Sequence, residues 1–269
     1  MHPRISLHQA AFMGASTSAF LDHCRAIGVA NATLVSPKLL LPHGMDDARG
    51  GLAAGGVRVS CVNHPFATFP NLELDTGEAA RKLDEVIGMI AELGAPSIYL
   101  VTGGRGSLSW EEAAERFTRL VAPCAETACS HGIALLVENA SAFNVDIHMA
   151  HTLSDTITLA ELAGIGVCIE LHACWPEGGL SVSFRRAMPR CGLVQVSDYV
   201  LGDRTAPCRA VPGDGAIPLE RLLGDLLEAG YQGLFDLELL GPRIEAEGPA
   251  AATRRAAERV SEILDRLGA

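Results

Sequence analysis

The chain has 269 residues, a length that fits about two average domains or one α/β barrel, which alone takes about 250. With 48% hydrophobic residues, 20% charged residues and a mean hydropathy of +0.23, it is too apolar for intrinsic disorder and able to bury a core. The formal net charge is −11 and Lys38 and Lys82 are the only lysines, so no basic stripe is available for a nucleic-acid backbone or an anionic membrane.

No run reaches the roughly 18 uninterrupted apolar residues of a membrane helix, and His8 and Gln9 break the N-terminal stretch before a signal segment forms. The expected setting is the cytoplasm. The eight cysteines, at 24, 61, 124, 129, 168, 174, 191 and 208, show no C-x-x-C spacing and suggest no disulfide framework. Cys124 and Cys129 read as core residues of one helix.

From the N-terminus, short apolar runs predict strands over Arg4–Gln9, Asn31–Ser36, Val57–Asn63, Ser97–Thr102, Ile133–Glu138, Gly166–Glu170, Leu193–Ser197 and Gly233–Glu238. Amphipathic stretches between them predict helices, most clearly over Thr76–Leu93, Ser109–Ser130, Leu219–Ala229 and Pro249–Leu267. Ser109-Trp110-Glu111-Glu112 reads as a capping box, and Gly94, Gly132 and Gly230 read as helix stops. Lys38 to Gly56 has poor helical periodicity and reads mostly as loop. Eight βα units without a linker or composition shift predict an α/β fold, one (β/α)8 TIM barrel using residues 1–269 as a single domain.

In such a barrel the C-terminal ends of the strands open into one mouth. Four successive runs end in polar residues there: Glu138-Asn139, Glu170-Leu171-His172, Gln195-Val196-Ser197-Asp198 and Glu238. Their separations of 32, 25 and 43 residues each suit one βα unit. Three carboxylates and an amide converging in one mouth repel unless a cation lies among them. Hard oxygen donors suit Mn²⁺ or Mg²⁺ better than zinc, so the expected cofactor is one of these on Glu138, Glu170, Gln195 and Glu238. Taken singly, each acid is equally consistent with a loop position or an arginine partner.

These residues, together with Arg209-Ala210-Val211-Pro212-Gly213-Asp214-Gly215 and Gly230-Tyr231-Gln232-Gly233, resemble the xylose isomerase-like TIM barrels, the sugar phosphate isomerase/epimerase and endonuclease IV-like superfamily. The rhythm spans the chain, and the specific motifs lie between Ile133 and Arg243. The resemblance implies a metal set of Glu, Asp, His and Glu, carried here by Glu138, Glu170, Gln195 and Glu238. Glutamate replaces aspartate at 170. Glutamine replaces histidine at 195, as it does in the dehydroshikimate dehydratase branch. The resemblance further implies that Glu138 and Glu238 are the catalytic acid/base pair and that Arg209 contacts substrate. A surface arginine paired with Asp203 or Asp214 is the other reading of Arg209.

The activity so implied is a divalent-metal-dependent isomerase or epimerase of a sugar-like hydroxy-carbonyl compound, abstracting a proton beside a metal-bound carbonyl. The alternative is a dehydratase (lyase) of the dehydroshikimate or inosose type. A DNA-repair nuclease of the endonuclease IV kind would want a histidine-rich cluster and a basic face, and a non-catalytic barrel would tolerate the altered ligands. His8, His64, His172, Trp175, Asp198 and Arg209 complete the expected substrate pocket; His172 stands two residues after Glu170, where the family has three. The expected partner is a small-molecule substrate, with no nucleic acid and no membrane, and a homo-oligomer is left open.

Overall fold

Short runs of Val, Ile and Leu without a polar face need cover on both sides, which a parallel sheet wrapped by helices supplies. The structure, a computed structural model, describes residues 1–269. Its strands are β1 (Ile5–His8), β2 (Asn31–Val35), β3 (Arg58–Pro65), β4 (Ser97–Val101), β5 (Ala134–Glu138), β6 (Gly166–Glu170), β7 (Cys191–Val196) and β8 (Phe235–Leu237). They close into a barrel in chain order, with every neighbouring pair parallel and β8 returning to β1. The (β/α)8 expectation holds, and the strands start or stop within two residues of the predicted limits.

The helices are α1 (Thr17–Ala26), α2 (Ser36–Leu39), α3 (Gly44–Ala53), α4 (Glu78–Glu92), α5 (Trp110–Ser130), α6 (Leu153–Ala163), α7 (Leu171–Cys174), α8 (Leu180–Ala187), α9 (Leu219–Glu228), α10 (Pro242–Glu247) and α11 (Pro249–Leu267). The capping box forms at Ser109, whose side chain takes the Glu112 N–H while the Glu112 carboxylate takes the Ser109 N–H. No helix is long and apolar enough to cross a membrane.

The segment read as loop, Lys38 to Gly56, contains the helix α3. Glycines at 44, 50 and 51 erase its periodicity, yet one of them lets it dock: a Cβ on Gly51 would lie 2.8 Å from Leu21 Cδ1 and 2.9 Å from Ser18 Cα on α1. Asp47 then ties the two helices, accepting from the Thr17 N–H at 2.6 Å and the Ser18 hydroxyl at 2.5 Å. Tertiary packing here overrides low propensity. All eight cysteines are free; Cys124 is buried as expected, whereas Cys129 is exposed.

The main core, 66 buried residues, fills the layer between barrel and helices. Inside the barrel lies a separate cluster of Cys61, Tyr99, Leu136, Cys168 and Leu193. Alternation along β1, β2 and β8 places the buried Ser6, Thr33 and Asp236 in the same interior. Register aligns Glu170 with Gln195, and Gln195 with Asp236, so each inward residue sits in a defined layer below the mouth.

Candidate active site

Glu138 and Glu170 are the last residues of β5 and β6, Gln195 lies one residue before the end of β7, and Glu238 directly follows β8. All four are buried. One carboxylate oxygen from each of Glu138, Glu170 and Glu238 lies within 4.8 Å of the other two. Asn139 locks this layer by mimicking a strand pairing: its amide donates to the Glu170 carbonyl at 2.9 Å, and its carbonyl accepts from the Glu170 N–H at 2.8 Å. The Glu170 carboxylate also accepts the His172 backbone N–H at 2.7 Å, capping α7.

Arg209 is not at the rim but between the carboxylates. Its Nη1 lies 2.5 Å from Glu170 Oε2, its Nη2 lies 2.7 Å from Glu238 Oε2, and its side chain is only 13% exposed. Nη1 also donates to Ser197 Oγ at 3.0 Å. Asp203 and Asp214, the partners of the alternative reading, are held by Arg243 and Arg255. Burial opposes the guanidinium charge, but Glu170, Glu238 and Glu138 together hold Arg209 above its ordinary pKa. Glu138 has no such contact, and burial, then the charges of Glu238 and Glu170, push its carboxyl well above the usual range.

His8 lies beneath this cluster, with Nε2 2.8 Å from Tyr99 Oη and 3.9 Å from Glu238 Oε1. Burial lowers its pKa, with Asp236 pulling the other way. His172 reaches Cys208 Sγ at 3.8 Å, and burial, then Arg209, lowers its pKa to about 4. Tyr199 stands between His172 and Trp175, with ring centroids 5.9 and 6.4 Å away, so these three form an aromatic wall on the side of Arg209.

Two expected pocket residues lie elsewhere. Asp198 spends both carboxylate oxygens on backbone N–H groups of its own loop, those of Tyr199, Gly213, Gly215 and Ile217, at 2.8 to 3.0 Å. Its carboxylate organises the loop. His64 shares its strand face with Val62 of the outer core and bonds Ser36 Oγ at 2.7 Å. A register shift in β3 opposite Ala32 and Thr33 adds one residue, turning His64 outward and Asn63 inward. Tyr99 was not anticipated, although its place between the outward Ile98 and Leu100 marks it as an inward residue.

The donor set fits a hard divalent cation. Three carboxylates converge, a single guanidinium offsets them in part, and Glu170 Oε2 lies beside Arg209 without a well-directed hydrogen bond. Glu138, Glu170 and Glu238 would hold such an ion directly.

No curated protein is matched by the sequence. Among solved structures, protein SMc04130 from Sinorhizobium meliloti 1021 superposes with a TM-score of 0.84 at 21% identity, covering 98% of both chains. The IolI protein with a binding zinc atom gives 0.82 at 17%, covering 98% of this chain and 99% of that one. D-psicose 3-epimerase from Clostridium cellulolyticum H10 gives 0.76 at 14%, covering 98% of both. At these identities the likeness is one of fold. The family described as xylose isomerase-like TIM barrel matches residues 22–263, and with the closed barrel and its ring of glutamates this places the chain in that family.

Proposed function

We propose that the protein is a divalent-metal-dependent isomerase or epimerase acting on a polyhydroxy carbonyl compound. The observation that carries the reading is the trio of strand-end glutamates within 4.8 Å of one another, with Arg209 clamping two of them. A cation held there, Mn²⁺ or Mg²⁺ by the hardness of its donors, supplies Lewis-acid polarisation of the substrate's carbonyl and neighbouring hydroxyl. The protein's own residues divide the proton work. Glu238, fixed by Arg209 and by the Gln195 amide, is the oriented base. Glu138, free of any guanidinium contact, is the partner that returns a proton to the opposite side of the carbon. Arg209 aims planar donors at substrate oxygen, and His172 and Trp175 border the same side. The net charge of −11 speaks against a nucleic-acid substrate.

The same proton abstraction beside a leaving β-hydroxyl would make a dehydratase, and the glutamine at 195 favours keeping that reading second. Incubating the Mn²⁺-loaded protein in D₂O with ketoses, inososes and cyclic hydroxy-ketones separates them. Deuterium incorporation without loss of water is the expected result. Loss of water would make it a lyase, and no exchange with any of these would favour a non-catalytic barrel.

A further inference from the structure

The floor beneath the glutamates holds one donor too many. The Ala10 backbone N–H donates to His8 Nδ1 at 3.0 Å, so the proton of the neutral imidazole sits on Nε2, 2.8 Å from Tyr99 Oη. Gln195 Nε2 also donates to Tyr99 Oη, at 3.0 Å, and to Glu238 Oε2, at 3.2 Å. Tyr99 Oη thus receives two hydrogen bonds, and its own proton goes to none of its partners. For a fully buried phenol that is a cost. On the far side of the amide, the Cys168 thiol donates to Gln195 Oε1 at 3.4 Å.

In this orientation Gln195 cannot serve as a ligand, because an amide NH₂ has donors but no lone pair to give. Turning the amide end over end exchanges its oxygen and nitrogen in place. Oε1 then faces Tyr99 Oη and Glu238 Oε2, and Nε2 faces Cys168 Sγ. The chain of protons along the floor now closes, from Ala10 N–H to His8 Nδ1, His8 Nε2–H to Tyr99 Oη, and Tyr99 Oη–H to Gln195 Oε1, while the Cys168 thiol exchanges its amide acceptor for a weak bond accepted from Nε2. The turn also sets two acceptor oxygens side by side, where the amide nitrogen now stands 3.2 Å from Glu238 Oε2, and they repel unless positive charge lies between them. Each orientation therefore suits one charge state of the glutamate cluster.

We infer that Tyr99 is a positioning residue that lets the Gln195 amide take either orientation: its hydroxyl accepts from Nε2 in one and donates to Oε1 in the other, holding the carbonyl oxygen toward a bound divalent cation. The inference rests on the reading of the glutamate cluster as a cation site. Phenylalanine at 99 would remove the donor that favours the ligating orientation and strand the His8 proton as well.

The test is a titration of chelator-stripped protein with Mn²⁺, following free Mn²⁺ by electron paramagnetic resonance. The wild type should bind one Mn²⁺ per chain, and Tyr99→Phe should weaken that binding by about 10- to 100-fold, the usual effect of removing a group that orients a ligand. In the Gln195→Glu background the same change should cost less than about threefold, because a carboxylate has no wrong end. Should Tyr99→Phe not fold, the wild type answers through its ¹⁵N-labelled side-chain amide, assigned by its loss in Gln195→Glu. Adding diamagnetic Zn²⁺ should move the Gln195 NH₂ protons upfield as they leave the phenol and the carboxylate. A wild type that takes up no Mn²⁺ overturns the cation reading and this inference with it. A wild type that binds while Tyr99→Phe binds within about twofold, or a Gln195 resonance that stays or moves downfield, overturns the role of Tyr99 alone.

Discussion

A guanidinium lodged between Glu170 and Glu238 meets part of the negative charge that a bound cation would otherwise face alone. Lysine at 209 would keep the charge but reach only one carboxylate. Arg209→Lys should therefore raise KM about tenfold and lower the melting temperature by a few degrees, since one buried carboxylate loses its partner. An unchanged melting temperature would remove Arg209 from between the glutamates. For the proton-transfer pair, Glu138→Gln and Glu238→Gln should each lower kcat by about 10²- to 10⁴-fold when assayed at saturating Mn²⁺. Recovery of near-normal turnover by either variant at high metal would leave that residue a ligand and no more. Sequence spacing alone suggested the glutamates, because each closes an apolar run. The place of Arg209 was out of its reach, because a loop arginine can lie at the rim or fold inward, and only the closed mouth decides.

At the level of elements, the loop from β7 to α9 carries Arg209 and is stapled by Asp198. Its carboxylate accepts four backbone N–H bonds, and an antiparallel bridge joins Asp198 to Ala210, next to Arg209. The close approach at Gly215 makes this staple exacting. A Cβ there would lie 2.3 Å from Asp198 Oδ1 and 2.4 Å from the Tyr199 carbonyl. Gly215→Ala should destabilise the protein by about 1–3 kcal/mol and reduce kcat/KM, because the displaced loop carries the guanidinium away from the glutamates. Denaturant unfolding and steady-state rates check both halves, and an alanine variant with wild-type kinetics would show that the loop positions Arg209 without the staple. The Pro-Gly turn at 212–213 was legible as a loop signal. The staple was not, because an aspartate after a strand reads equally well as a substrate contact.

For the molecule as a whole, the inside of the barrel is more polar than the layer outside it. Asp236 sits there fully buried, with neither carboxylate oxygen in a well-directed hydrogen bond. Burial raises its pKa, while His8 and the hydroxyls of Ser6 and Thr33 pull it back only in part. The folded state then keeps the Asp236 proton to a higher pH than the unfolded chain does. As pH rises above the unfolded carboxylate range, the folded protein is progressively penalised, so this group contributes stability only at the acid end. Asparagine pays no such cost at any pH. The melting temperature of Asp236→Asn should come closest to the wild type at the acid end and exceed it by a margin that grows as pH rises above the usual carboxylate range. A margin that shrinks with rising pH would mean that Asp236 is ionised and well paired in the folded protein.

The barrel and its ring of glutamates follow from local rules that a linear sequence states outright. Alternation of apolar runs with amphipathic ones dictates βα units, and several acids closing successive apolar runs point to the one mouth that those strand ends share. The rest depends on closure. His64 was expected in the mouth because it closes the third apolar run, and one extra residue in that strand, visible only against its neighbour β2, turned it to the outer layer. Tyr99 became part of the site floor because β4 lies across the barrel from β1 and β7, bringing its hydroxyl to His8 and Gln195 from 91 and 96 residues away. Strand periodicity assigns a side chain to a face. Which other side chains share that face is settled only when eight strands close and their registers lock.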